Sequence, residues 1–403
     1  MNMEKTLLAS AIGLALLNPV PVYAGELEDL KSQMLKMMQR IEELEKKQMD
    51  MAETAETAQT SSSKPSVSSG NDKVRLSLSG QVNRGVLVTD DGDESDYHFV
   101  DNDASSTRIR FIGEVDPSET LTVGAAIEVQ LESNSTASVS QSTGKSGEGP
   151  DNFTQRRLEV YAADKNWGKV WLGQGWTATE GTSEQDLSGT DMAGYSDTAI
   201  LAGGTFFRES GGALSSVRVK DVLANLDGQG RNDRIRYDTP NFGGFTLATS
   251  LIEGDVWDLS GKYSAKYDGY KVTAALGYSD DVGSDLINGS ASVLLDNGFN
   301  FTLAAGERDV DSGSVDPSFF YFKLGYRVSL TTAGKTSFSV DYHETDDAKL
   351  SGDEASSYGF QMVQKIDDWA TEAYLGIRNY ELERPGTEFE DVSAILAGAR
   401  VKF

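Results

Sequence analysis

Apolar and polar residues alternate along most of the chain. Between Leu121 and Glu132, the residues Leu121, Val123, Ala125, Ile127, Val129 and Leu131 fall on one face, and Thr122, Gly124, Ala126, Glu128, Gln130 and Glu132 fall on the other. A period of two is that of an extended strand with one apolar and one polar face. It returns at Trp257, Leu259, Tyr263, Ala265 and Tyr267 against Asp258, Ser260, Lys262, Ser264 and Lys266. It returns again at Phe320, Phe322, Leu324, Tyr326 and Val328 against Tyr321, Lys323, Gly325 and Arg327. Strands of soluble sandwiches are mostly shorter, about 5–6 residues. The segments here reach the roughly nine to eleven residues that a tilted strand needs to cross a bilayer.

Sixteen such strands are predicted, at residues 74–89, 106–116, 121–132, 153–163, 169–176, 232–239, 245–253, 257–267, 270–279, 286–295, 299–308, 319–329, 335–344, 356–366, 370–381 and 391–403. Short connections such as Asp116-Pro117-Ser118-Glu119, Asp268-Gly269 and Asp296-Asn297-Gly298 carry turn residues. They alternate with longer acidic ones, such as residues 90–103 and 308–318. The fold class expected is all-β, a 16-stranded antiparallel transmembrane β-barrel, because closure leaves no unpaired backbone edge in lipid.

The first 70 residues read differently. Lys5, an apolar stretch from Thr6 to Leu17, and a small residue at Ala24 have the layout of a secretory signal peptide, residues 1–24. From Leu27 a heptad seam runs through 25–51, with Leu27, Met34, Ile41 and Gln48 at a and Leu30, Met37, Leu44 and Met51 at d, the pattern of a coiled-coil helix. Residues 52–70 are rich in Ala, Glu, Thr, Ser and Gly and read as a flexible linker, leaving 71–403 as the barrel.

Composition removes whole classes of function. The chain of 403 residues has 36 Lys plus Arg against 63 Asp plus Glu, a net charge of −27, which argues against nucleic acid as a partner. There is no Cys, and the two imidazoles are His98 and His343, neither with a neighbouring nucleophile motif, so no enzyme is expected. No cofactor is expected either, apart from Ca²⁺ at acidic loops such as Asp90, Asp91, Asp93, Glu94 and Asp96.

Several pieces resemble the general porins of Gram-negative outer membranes, in particular the group with an N-terminal coiled coil. They are LSLSGQVNRGVL in the first strand, SSTRIRFIGE in the second, FTQRRLEVYAADKNWGKVWLGQ across the fourth and fifth, NDRIRYDTPNFGGFTL across the sixth and seventh, and the terminal Phe403. The resemblance implies a homotrimer in the outer membrane, in contact with lipid and lipopolysaccharide, its coiled coil in the periplasm. It also implies assembly by the barrel-insertion machinery through the C-terminal strand. The implied function is passive diffusion of ions and small hydrophilic solutes; a substrate-specific channel or an adhesive surface barrel is the alternative.

In that family the loop after strand five folds into the barrel and narrows the channel, with loop acids facing basic wall residues. Carried onto this sequence, the pore constriction comprises Arg108, Arg110, Arg157, Glu180, Glu184, Asp186 and Asp191. Opposed charges across a wet gap focus a transverse field. With the body at −24, mild cation selectivity is expected. Alternation puts Arg156 on the outer face, toward a subunit interface, and leaves Arg84 on the outward parity of the first strand without a role. Gly173 and Gly175 are expected to leave room for the loop.

Overall fold

The computed structural model describes residues 70–143, 153–311, 313 and 315–403. The chain divides between Ser66 and Val67 into two units, and the described residues belong to the second. The predicted signal peptide and coiled-coil helix, and the linker up to Ser69, lie outside the described residues.

In chain order the strands are β1 (Arg75–Asp90), β2 (Ser95–Asp101), β3 (Arg108–Val115), β4 (Leu121–Gln130), β5 (Thr154–Asp164) and β6 (Gly168–Trp176). Next come β7 (Phe206–Glu209), β8 (Leu214–Arg218), β9 (Arg231–Asp238), β10 (Phe245–Ile252), β11 (Val256–Tyr267), β12 (Tyr270–Asp281) and β13 (Ser284–Leu295). The last seven are β14 (Phe299–Val310), β15 (Ser318–Thr331), β16 (Gly334–Asp346), β17 (Glu354–Ile366), β18 (Thr371–Arg384), β19 (Thr387–Glu390) and β20 (Val392–Lys402). Without β2, β7, β8 and β19, these form a closed antiparallel wall of sixteen, each within three residues of its predicted span. The last strand, β20, pairs with β18 on one side and with β1 on the other, Val82 opposite Val401, so no edge is left open. The short β2 continues the wall above β3 by pairing with the upper part of β1, from Arg84 opposite Asp101 to Asp90 opposite Ser95.

The faces are inverted relative to a soluble protein. On β14, Phe299, Phe301 and Leu303 are exposed while Asn300, Thr302 and Ala304 are buried; on β15, Phe320, Phe322 and Tyr326 are exposed while Tyr321 and Lys323 are fully buried. Apolar side chains outside and polar ones inside suit a wall solvated by lipid. Aromatic pairs gather near the short turns: Phe245 with Tyr263, Phe299 with Tyr326, and Tyr267 with Tyr270, their ring centres 4.3, 4.8 and 5.0 Å apart. Such girdles sit at the membrane interface.

Closure ends on Phe403. Its amide and carbonyl exchange hydrogen bonds of 3.0 and 2.9 Å with Gly80. Its ring lies on that glycine, so that a Cβ at residue 80 would stand 2.6 Å from the ring.

The strict alternation of short and long connections does not hold. On the long-loop rim, β10 and β11 are joined by only Glu253–Asp255, and β12 and β13 by Val282 and Gly283. The long connections flank β1 to β9 and β15 to β20 instead.

Candidate functional site

Arg108 and Arg110 point inward, where both meet Glu128 on β4, Arg108 at 3.6 Å. The carboxylate of Glu128 has a third partner, Arg156, whose Nε donates to it at 2.7 Å. This corrects the outward placement of Arg156. The pairing of β4 with β5 slips after Glu128, which faces Arg157, so that Val129 faces Gln155 and Arg156 bulges out of register. A bulge breaks the period of two and re-aims one side chain. Arg156 and Arg157 therefore both turn to the lumen. Arg157 joins a separate group: it pairs with Glu159 and stacks 5.6 Å from the Trp171 ring.

Gly173 and Gly175 also need correcting, since the loop does not occupy their space. At Gly173 it is taken by the Leu158 carbonyl, and at Gly175 by Glu159 and by Arg234, which donates to the Gly173 carbonyl at 2.8 Å and pairs with Glu159. A Cβ at residue 175 would stand 2.3 Å from that Glu159 carboxylate. Arg84 does lie outward, where it donates to the Ser133 carbonyl at 2.8 Å and ties down the loop after β4.

Residues 177–230 line the inner wall. Their backbone amides find hydroxyl groups on inward positions: Ala178 on Ser250 at 2.7 Å, Gln185 on Ser290 at 2.8 Å and Leu187 on Ser292 at 2.9 Å. Thr190 meets Ser339 at 2.7 Å, and Thr198 meets the buried His343 at 2.6 Å. Small polar residues on β10, β13 and β16 thus satisfy a non-regular segment that would otherwise bury unpaired amides. The ammonium of Lys323 fastens the middle, donating to Asp186 at 2.6 Å and to the Gly194 carbonyl at 2.7 Å. Burial works against the Asp186 charge, yet Lys323 holds its carboxyl below the usual range.

The second half of the segment is dry. Met192, Ala199, Leu201, Phe207, Val217, Val219, Val222 and Leu223 pack against inward residues Leu87, Ala355, Val363, Tyr380, Leu382, Val392 and Leu396 of β1, β17, β18 and β20. Each fully buried Leu or Phe contributes about 1.5–3 kcal/mol. The segment then returns to the rim as the β7–β8 hairpin, where β7 pairs with β19.

Open space remains on the opposite side, in three cavities that share lining residues. The uppermost, about 470 Å³, is lined by Asp103, Glu132, Asp197, Lys220, Arg156 and Arg231, among others. Arg156, Arg231 and Asp197 also line the middle one, about 450 Å³, together with Arg108, Glu180, Glu184 and Asp227. Glu184 and Tyr195 lead on to a lower one of about 420 Å³, lined by Asp186, Asp191 and Arg327. Of the seven predicted residues, Arg108, Glu180 and Glu184 meet in the middle cavity, and Asp186 and Asp191 meet below it. Neither Arg110 nor Arg157 lines any of the three. Arg156, Arg231, Asp197 and Asp227 were missed. The adjacent arginines of Gln155-Arg156-Arg157 were the readable signal, because strict alternation would put one of the two guanidinium groups in lipid.

Burial and the neighbouring Asp227 push the Glu180 carboxyl up to about 7. Burial and Asp103 do the same for Asp197, also to about 7.

A sequence model of the family described as Gram-negative porin matches residues 52–384. The chain belongs to this family. As a porin it resides in the outer membrane and provides a channel for solute diffusion rather than an enzyme's active site. Solved structures share its fold. The anion-selective porin from Comamonas acidovorans is 17% identical, covering 82% of this chain and 100% of its own, with a TM-score of 0.57. OmpT of Vibrio cholerae in its trimer form is 13% identical over 82% of this porin and 100% of its own chain, at a TM-score of 0.53. The outer membrane channel DcaP of Acinetobacter baumannii is 12% identical over 83% and 99%, at 0.52. No curated relative matches the sequence.

Proposed function

We propose that this porin is a general diffusion pore whose solutes pass through these three cavities, with the middle one, against β3, β5, β6 and β9, as its narrows. The observation that carries the reading is the middle cavity, bounded by a basic wall and an acidic loop and sharing lining residues with each of the other two. Arg108, Arg156 and Arg231 supply one side and Glu180, Glu184 and Asp227 the other, so a transverse field crosses the path. Water and dipolar solutes gain from such a field, and apolar ones lose more water than they recover. Asp191, exposed near Arg327, carries the same polarity further down.

Selectivity is mildly cationic on this reading. The body bears a surplus of acids, while the mouth sets Asp103, Glu132 and Asp197 against Lys220, Arg156 and Arg231, and partial protonation of Glu180 and Asp197 near neutral pH keeps the preference small. The assembly is a homotrimer, by analogy with the trimer form of OmpT. Planar-bilayer recording in a KCl gradient tests all of this at once. Stepwise conductance, closures in groups of three and a small reversal potential of cationic sign support it. Absence of conductance, or a clear anion preference, counts against it.

A further inference from the structure

We propose that the lower wall beneath the inner segment carries an anion site, separate from the three cavities, which takes a doubly charged phosphate group as inorganic phosphate or a soluble phosphate monoester.

Four charged side chains meet there. Lys365 on β17, Glu372 on β18, and Arg400 and Lys402 on β20 share the inward parity of their strands. Lys365 stands opposite Glu372, and Glu372 stands opposite Arg400. The Lys402 amide donates at 3.0 Å to the carbonyl of Ala370 in the short turn between β17 and β18, which puts the group at the short-turn end of the lumen.

All three cations share the one carboxylate. Arg400 donates to Glu372 through Nε at 2.8 Å and also through Nη2, and the ammonium groups of Lys402 and Lys365 stand 3.3 and 3.6 Å from it. Among the described residues no other carboxylate forms an ion pair with Lys365, Arg400 or Lys402. Like charges held this close repel, so the patch gains from an anion that joins it.

Donors are left over as well as charge. An ammonium has three N–H groups and a guanidinium five. Lys402 spends one of its three on Glu372, Lys365 makes no hydrogen bond, and Arg400 uses only Nε and Nη2. The side chains of Lys365 and Lys402 are 38% and 47% exposed, so their unspent donors are open to water, while Arg400 and Glu372, at 9% and 10%, are fixed behind them.

The patch lies off the diffusion route. None of its four residues lines any of the three cavities. Above it on β18, Tyr374 donates to Asn83 at 2.8 Å, and Gly376 is covered by the inner segment: a Cβ there would stand 2.7 Å from both the Ala193 carbonyl and the Leu201 side chain. The dry packing roofs this side of the lumen, and a ligand enters from the short turns.

Inward parity keeps lipid headgroups away, which leaves soluble anions. Chloride brings one negative charge, whereas a phosphate dianion brings two, with oxygens directed toward donors that arrive from both β17 and β20.

Phosphorus NMR of inorganic phosphate tests the site, with the full-length protein in detergent at about pH 8 and about 20 mM KCl, where screening is weak. Saturable broadening of the phosphate resonance is expected. Lys365→Gln, which removes no hydrogen bond from the fold, and Lys402→Gln should each weaken phosphate binding about tenfold. Glu372→Gln removes the competing carboxylate and should tighten binding by about the same factor. A merely structural role would not give effects of opposite sign. No broadening by the unaltered protein, or an affinity unchanged in both lysine variants, would overturn the site. Weakening by Arg231→Gln with none from the lysine variants would place the ion at the narrows and overturn it too. The diffusion route is tested separately, by conductance.

Discussion

Replacing Lys323 by Met puts the attachment of the inner segment under direct test. The ammonium is fully buried, and Asp186 beside it has 7% of its side chain exposed. Removing the cation leaves a buried carboxylate unpaired, at a cost of about 3–5 kcal/mol. Three nearby attachments resist release: Gln185 on Ser290, Leu187 on Ser292 and Thr190 on Ser339. At about 0.5–1.5 kcal/mol each, they sum to roughly the same amount. Residues 186–194 should therefore fluctuate between docked and undocked states while the apolar half of the segment stays in place. Single-channel recording reads this as excess open-channel noise and a raised mean conductance. Replacing Asp186 by Leu in the same variant removes the orphaned charge and should restore a quiet trace, since a buried pair exchanged for apolar residues is often neutral. A Lys323→Met barrel that folds and conducts as quietly as the unaltered protein would refute the latch.

Gly80→Ala should lower folding yield, because the new Cβ meets the Phe403 ring and the Arg108 carbonyl; overpacking of this kind costs about 1–3 kcal/mol, read from the unfolding midpoint in urea. Acid should loosen the β7–β19 rim. Burial alone would raise the Asp91 carboxyl, but hydrogen bonds from Arg208, Glu94, Gln141 and Asp93 hold it down at about 2. A depressed carboxyl stabilises fully above its unfolded value near 4 and loses that contribution as pH falls through its folded value. Cleavage by an acid protease should rise as pH drops from 4 toward 2, and Asp91→Asn should already be susceptible to a neutral protease at pH 7. Arg156→Gln removes a positive charge from the narrows and should move the reversal potential in the cationic direction with the trimer intact. A dissociated trimer and unchanged reversal potential would restore the outward reading of that residue.

The barrel was legible because its signal is local and repeated. Each strand between two media declares its faces by alternation, and turn residues such as Asp296-Asn297-Gly298 mark its ends. The site was legible in part. Glu180 and Glu184 follow from the position of the segment after β6, and Arg108 from its parity on β3. Arg156 was lost because a bulge, set by the register of β4 against β5, breaks the counting rule on which parity depends. Gly173 and Gly175 were assigned to the wrong neighbour because their space is taken by Leu158, Glu159 and Arg234, which the pairing of β6 with β5 and β9 brings there. The dry half of the inner segment had a signal that alternation does not capture. Ile200, Leu201, Phe206, Phe207, Val217, Val219, Val222 and Leu223 are too many apolar residues for a segment that only faces water. Their destination depends on which inward positions of β17, β18 and β20 happen to be apolar, which only the closed wall brings together.

The route through the lumen is the central claim, and the absence of cysteine from the sequence allows it to be traced directly. Single cysteines are introduced by Ser138→Cys and Glu180→Cys on the route, and by Ala202→Cys in the dry packing. A charged, water-soluble thiol reagent is then added during bilayer recording. Abrupt loss of current at residues 138 and 180, with no response at residue 202, is the predicted result. Rapid modification and block at residue 202, with residue 180 silent, would contradict the account.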